Sequence, residues 1–190
     1  QLRLDRIAWS QRLNELKFIF PVGAMGRDGG ERLTGRRLAE VFARHQGDAY
    51  DSAYVDKLRN LDFRPLCGYL KGFVDLIFEY EGRWYVADYK SNTLGEWYHD
   101  YDRSGMAKEM ASHHYYLQYH LYVVALHRYL KYRIPDYDYD SHFGKVYYFF
   151  VKGMSPETGA QMGTFVDRPS RELICELSDV LDGASMGGAA

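Results

Sequence analysis

Apolar and polar positions follow their clearest pattern between Gly68 and Lys90, in GYLKGFVDLIFEYEGRWYVADYK. Residues 69–78 are mostly apolar and aromatic with few breakers, as a half-buried strand requires. Glu81-Gly82 offers a two-residue turn, because glycine supplies the positive φ such turns need. Arg83 to Lys90 then reads as a second strand. With those two residues as the loop, Tyr80 faces Arg83, and the pairing counts back to Asp75 opposite Asp88. Opposed residues share a face of the hairpin, and so do residues two apart. Asp75, Asp88 and Lys90 therefore project from one side and Tyr89 from the other.

Elsewhere the pattern predicts a strand over Glu15 to Val22, where Leu16, Phe18 and Phe20 alternate and Pro21 ends the run. Gln1 to Asn14 shows no clear periodicity, and Gly23 to Gly30 is a glycine-rich loop. Thr34 caps a helix to about His45 with Leu38, Val41 and Phe42 on one face, and Gly47 stops it. A short helix is expected over Tyr54 to Leu58. Asn92 to Gly105 reads as a surface loop, followed by one long helix from Met106 to about Tyr132, stopped before Pro135. On that helix Met106, Met110, Leu117, Leu121, Val124 and Ala125 form the expected core stripe. Gln118, Tyr122, Tyr115 and Tyr129 form a neighbouring polar and aromatic face. Lys145 to Val151 is short and apolar enough for a buried strand, and Met154 to Gly163 is a loop. Ser170 caps a last helix carrying Leu173, Ile174, Leu177, Val180 and Leu181, ended by Gly183. The reading is one domain over residues 1–183 with a disordered tail over 184–190.

The 190-residue chain is long enough to bury a full core, and its 46% hydrophobic and 26% charged residues are ordinary for a globular protein. No run of apolar residues reaches membrane-spanning length. The chain starts without Met and without a signal peptide, so it is expected to be part of something longer. Cys67 and Cys175 fit no metal-binding spacing, which points to a reduced, cytoplasmic setting. A net charge of −2 counts against tight autonomous DNA binding, which calls for a basic face. A larger assembly that delivers the DNA would remove that objection. The eighteen tyrosines read mainly as core and rim residues.

Two carboxylates side by side repel unless positive charge lies between them. Asp75 and Asp88 therefore suggest a shared divalent cation. Mg²⁺ suits them, because it prefers oxygen ligands and keeps several waters. Lys90 beside it would orient or deprotonate a water and stabilise developing negative charge. An edge hairpin with scattered surface charges would contain the same residue types. Against that, the register aligns all three groups, and Val86 and Ala87 make the approach to Asp88 apolar. Other candidates are weaker. His113, His120 and His127 recur every seven residues but fall on the helix side away from the hairpin, as core-rim histidines. Asp136, Asp138 and Asp140 lack the glycine and terminal glutamate of a calcium loop and read as a solvated turn. Ser91 either donates to phosphate or ends the strand. Gln118 and Tyr122, four apart on one helix face, can satisfy each other as a half-buried polar pair.

The order GFVD, then DYK with twelve residues between the two aspartates, then QYHLY, resembles the RecB-type branch of the PD-(D/E)xK nucleases. The likeness is close from about Cys67 to Lys152 and looser on both sides. It implies an α/β fold with a restriction-endonuclease-like core, a mixed central sheet flanked by helices. It implies a Mg²⁺-dependent DNA nuclease of the exodeoxyribonuclease V type, within a helicase–nuclease of double-strand break repair and recombination. DNA and RecC-like and RecD-like subunits would be its partners. Asp75, Asp88 and the Tyr89 carbonyl would hold the metal, Lys90 would act with the two aspartates in catalysis, and Gln118 and Tyr122 would hold DNA. One departure stands out. The family's upstream helical motif, whose histidine is a further metal ligand, has no match before Asp75. His45 has the wrong surroundings, and Glu15 is a possible acid near the site. The chain is expected to begin downstream of that helix. A catalytically inactive module that binds DNA or a partner is the alternative of another class. Such a module would be expected to have lost Asp75, Asp88 or Lys90, and all three are present. A stand-alone resolvase or restriction-type enzyme fits the same chemistry but not the wording of the motifs.

Overall fold

The computed structural model of the chain describes residues 3–23, 31–63 and 66–184. Most of the expected 23–30 loop and of the 184–190 tail lies outside them. Five strands form one mixed sheet in the order β1-β2-β3-β4-β5: Arg12–Val22, Gly68–Tyr80, Arg83–Lys90, Phe143–Phe150 and Thr164–Asp167. The chain divides into two compact units, Gln1–Lys17 with Phe73–Pro169 and Phe18–Gly72 with Ser170–Ala190. Among the described residues no helix is long and apolar enough to cross a membrane.

The first unit holds the hairpin. Glu81 and Gly82 take φ of 51° and 73°, the left-handed pair that a tight two-residue turn needs. The turn sets the register, Tyr80↔Arg83 through Leu76↔Ala87. β3 runs parallel to β4, and β4 is antiparallel to β5. A parallel neighbour requires a crossover, supplied here by α3 (Arg103–Ser112) and α4 (Tyr115–Arg133). The expected single helix over 106–132 is thus two helices, parted at His113 and His114. His114 sits in the left-handed region at φ 55°. No glycine or proline marks the break, so the sequence pattern runs straight through it.

The core face of α4 also differs from the expected stripe. Tyr116, Tyr119, His120, Val123, Leu126 and Leu130 are buried, whereas Leu117, Leu121 and Ala125 are half-buried. Tyrosine rings fill the core here. Tyr116 and Tyr119 pack on Phe165 of β5, and the Tyr119 hydroxyl donates to Asp167 at 2.5 Å. A reading that treats tyrosine and histidine as rim residues turns this helix the wrong way. β5 itself, only four residues long, gave no pattern. β1 begins earlier than expected and continues through Pro21 to Val22. Proline is tolerated there because β1 is an edge strand. Ahead of it, residues 4–6 and 9–11 form short 3₁₀ turns.

The second unit contains α1 (Gly35–Arg44), α2 (Ser52–Arg59) and α6 (Arg171–Leu181). Each starts on a side-chain cap: Thr34 accepts from Arg37 N–H, Asp51 from Tyr54 N–H and Ser170 from Leu173 N–H. Phe42, Tyr50 and Tyr54 form an aromatic cluster with centroids 5.2–6.3 Å apart.

Candidate active site

The site is built where the hairpin opens. Paired residues end at Leu76↔Ala87, and one step further the same register sets Asp75 against Asp88. There Asp75 Oδ2 accepts a hydrogen bond from Tyr89 N–H at 3.0 Å. In a continuing antiparallel ladder that N–H would turn to the β2 backbone. The acid therefore replaces a main-chain acceptor and is fixed beside the end of β3. The Tyr89 side chain points to the other face, 48% exposed, with its ring 5.5 Å from Phe149.

Asp88 is 2% exposed, an unusual setting for a carboxylate. Its Oδ2 lies 2.6 Å from Lys90 Nζ, yet among the described residues no donor is aligned for a hydrogen bond to that oxygen. Lys90 has further neighbours. Its ammonium donates to Gln118 Oε1 at 3.0 Å and sits over two rings, 4.0 Å from the Tyr115 centroid and 5.0 Å from that of Tyr148. The Tyr148 hydroxyl donates to the same Gln118 oxygen at 2.9 Å. Tyr148 belongs to β4, where it pairs with Asp88 in the parallel register. Just past β3, Asn92 donates to Glu109 of α3 at 2.7 Å and accepts from the Tyr115 hydroxyl at 3.2 Å. The break at His114 thus begins α4 with Tyr115 over Lys90 and Gln118 against it.

Electrostatics follow from this burial. Burial pushes the Asp88 carboxyl above its usual range and Asp75 adds to the rise, while Lys90 opposes it. Tyr122 is held protonated far above the ordinary phenol value, first by burial and then by the charges of Asp88 and Asp75; a hydrogen bond from Gln118 works the other way. Tyr122 of α4 thus feels the charge of both aspartates, while Gln118 meets Lys90.

The donor set suits a hard cation. Asp75 and Asp88 offer carboxylate oxygens, the ligand type Mg²⁺ prefers, and buried Asp88 Oδ2 has unused acceptor capacity. Among the described residues no group of three or more His, Cys, Asp or Glu converges. Two acids leave coordination positions for water, as Mg²⁺ tolerates.

Other residues singled out in the sequence lie elsewhere. The histidine row is broken by the two-helix arrangement. His120 is buried with Nδ1 2.7 Å from Tyr116 O, His127 contacts Tyr137, and His113 pairs with Glu109 at 3.0 Å. Asp138, half-buried, caps the short helix Tyr139–His142, and Asp136 and Asp140 are exposed. Ser91 is exposed. Glu15 is exposed on β1 with φ 50°, outside the set of groups that surround Lys90. His45 lies against Glu176 of α6 at 2.5 Å. Sequence reasoning missed Tyr148 and Asn92. Tyr148 becomes visible only once β4 is paired beside β3, because nothing local in VYYFF distinguishes one tyrosine from the next.

The sheet thus carries two acids and a lysine at the end of its central hairpin. The chain belongs to the PD-(D/E)XK nuclease superfamily, whose family model matches residues 4–185. Among similar proteins is the RecBCD enzyme subunit RecB of Escherichia coli K12, 48% identical over 126 residues, covering 66% of this chain and 11% of that protein. The RecB subunit of Haemophilus influenzae is 47% identical over 121 residues, covering 64% of this chain and 10% of that protein. That of Mycobacterium tuberculosis H37Rv is 39% identical over 197 residues, covering 95% of this chain and 18% of that protein. The chain thus spans between a tenth and a fifth of the length of these relatives.

Proposed function

We propose that this chain is the Mg²⁺-dependent nuclease part of a helicase–nuclease, hydrolysing DNA phosphodiester bonds as an exodeoxyribonuclease of the V type. RecC-like and RecD-like subunits would be its partners, in double-strand break repair and recombination in the cytoplasm. Cys67 and Cys175 stand as thiols rather than as a disulfide, which agrees with a reducing compartment. The observation that carries the reading is buried Asp88 with Lys90 Nζ 2.6 Å from it and Asp75 at the neighbouring strand position.

Asp75, Asp88 and the Tyr89 carbonyl are the groups that would hold the cation. A bound divalent ion would supply positive charge for the extra negative charge that builds on phosphorus and the leaving oxygen. Lys90 orients the attacking water and faces the phosphate charge. Gln118 and Tyr122 would hold the DNA beside it. Tyr122, kept protonated by its surroundings, is a donor suited to a phosphate oxygen.

The test is cleavage of DNA in Mg²⁺ by the full protein carrying Asp75→Ala, Asp88→Ala or Lys90→Ala, with a thermal melt of each. Cleavage should fall by about 10²–10³ or more in each case, and the losses should not add, since the three act as one constellation. ATP-driven unwinding should survive. Near-normal cleavage by a folded Asp88→Ala protein would end the assignment and leave the DNA-binding module in its place.

A further inference from the structure

Gln118 Oε1 has two donors on it: Lys90 Nζ at 3.0 Å and the Tyr148 hydroxyl at 2.9 Å. An ammonium only donates, so the amide atom facing Lys90 has to be the oxygen. A glutamine amide can turn over, and its nitrogen in that position would set donor against donor. Tyr148 is fully buried on β4, with no exposed surface. Its hydroxyl therefore cannot turn to water. The two donors on its oxygen hold the amide in one orientation, and that orientation presents an acceptor to Lys90.

Resting on the nuclease reading above, we infer that Tyr148 is a positioning residue for the reaction: through Gln118 it fixes the ammonium of Lys90 beside Asp88. The ring of Tyr148 forms one wall of the lysine pocket and Tyr115 the other, at 5.0 and 4.0 Å from Nζ. The walls limit the sideways travel of a long flexible chain, and the two acceptors, Asp88 and Gln118, set its reach. Gln118 then acts on Lys90 as well as on DNA. Tyr148 itself, being buried, touches no substrate.

The experiment uses Tyr148→Phe, which keeps the ring and removes only the hydroxyl, alone and combined with Gln118→Ala, in the full protein with its partner subunits. Four quantities are measured: kcat and KM for DNA in Mg²⁺, DNA affinity in chelator, the melting temperature, and a cryo-electron microscopy structure of the variant. The inference expects kcat to fall about 10- to 100-fold, the usual range for loss of a supporting partner. KM, DNA affinity and melting temperature should stay near wild type. Adding Tyr148→Phe to Gln118→Ala should cost nothing more, and Lys90 Nζ should have left Gln118 in the variant structure. An unchanged kcat, an equal loss in both backgrounds, a lower DNA affinity, or an intact Lys90–Gln118 contact in Tyr148→Phe would each overturn it. Absence of cleavage by the wild type would instead sink the nuclease reading, and the variant structure would still decide whether Tyr148 holds Lys90.

Discussion

Arg37 and Lys90 are both poorly exposed cations, yet their surroundings are of different kinds. Arg37, 6% exposed in the second unit, donates to the main-chain carbonyls of Glu31, Arg32 and Ala184, with the Glu31 carboxylate 3.3 Å away at the surface. Lys90 meets a buried carboxylate, an amide oxygen and two aromatic faces. Carbonyls are neutral acceptors with fixed positions, so the arginine ties chain segments together. A carboxylate can take up a proton when its partner leaves, so the lysine sits in a pair that can change state. Structural and chemical cations are told apart here by what happens to the partners once the cation is gone.

The largest effect should come from Lys90→Met. DNA cleavage is expected to drop by about 10²–10³, as for other electrostatic donors at reacting centres. The fold should persist, because Asp88, whose pKa burial already raises, can become neutral. A carboxyl with a raised folded-state pKa favours folding below its unfolded value and loses that advantage as pH rises through the folded one. In chelator, the stability deficit of Lys90→Met relative to wild type should therefore shrink at pH 5 and grow at pH 8. Urea melts at both pH values check this, and a deficit independent of pH would break the contrast.

Arg37→Met is the counterpart. It should destabilise by about 3 kcal/mol, because three main-chain carbonyls lose their charged donor and none can neutralise. That loss should be nearly flat over the same pH range. Strong pH dependence would show that the surface carboxylate of Glu31, rather than the main chain, is the partner that matters.

A smaller effect belongs to His120. Burial lowers its pKa to about 4 from 6.5, against a weaker opposing pull from Asp167 on β5. Above pH 6.5 the ring is neutral in both states. As pH falls towards 4 the unfolded chain takes up a proton that the folded one refuses, so stability declines, and it levels off below 4. Between pH 7 and 5 the loss attributable to this ring is about 2 kcal/mol. His127, also lowered by burial, adds in the same direction. His120→Asn should remove its own share of the slope, which the difference between the two urea titrations measures.

How much of this was legible in the sequence depended on how local the determinants were. The hairpin was readable because Glu81 and Gly82 fix the register and the alternation runs back to Asp75 without interruption. The caps at Thr34 and Ser170 were readable for the same reason, each being a short-range signal. The α3–α4 break was not. His113-His114 carries no breaker, and the left-handed conformation at His114 has no local signal in the sequence. The face of α4 was misread because its core contacts are tyrosines and a histidine. Asp75, Asp88, Lys90, Gln118 and Tyr122 could be listed from one strand pair and one helix face. Tyr148 required knowing which strand lies beside β3, a non-local fact.

The left-handed residue at His114 has an effect on tolerance to change. In a continuous helix, adding or removing one residue turns everything beyond it by about 100°. Such a turn would carry Gln118 away from Lys90. With the helix interrupted, α4 takes its phase from its own packing on Phe165 and Tyr148, and a one-residue change in α3 need not reach it as a rotation. The joint works as a slip coupling between α3 and a segment that has to stay in step with the strands.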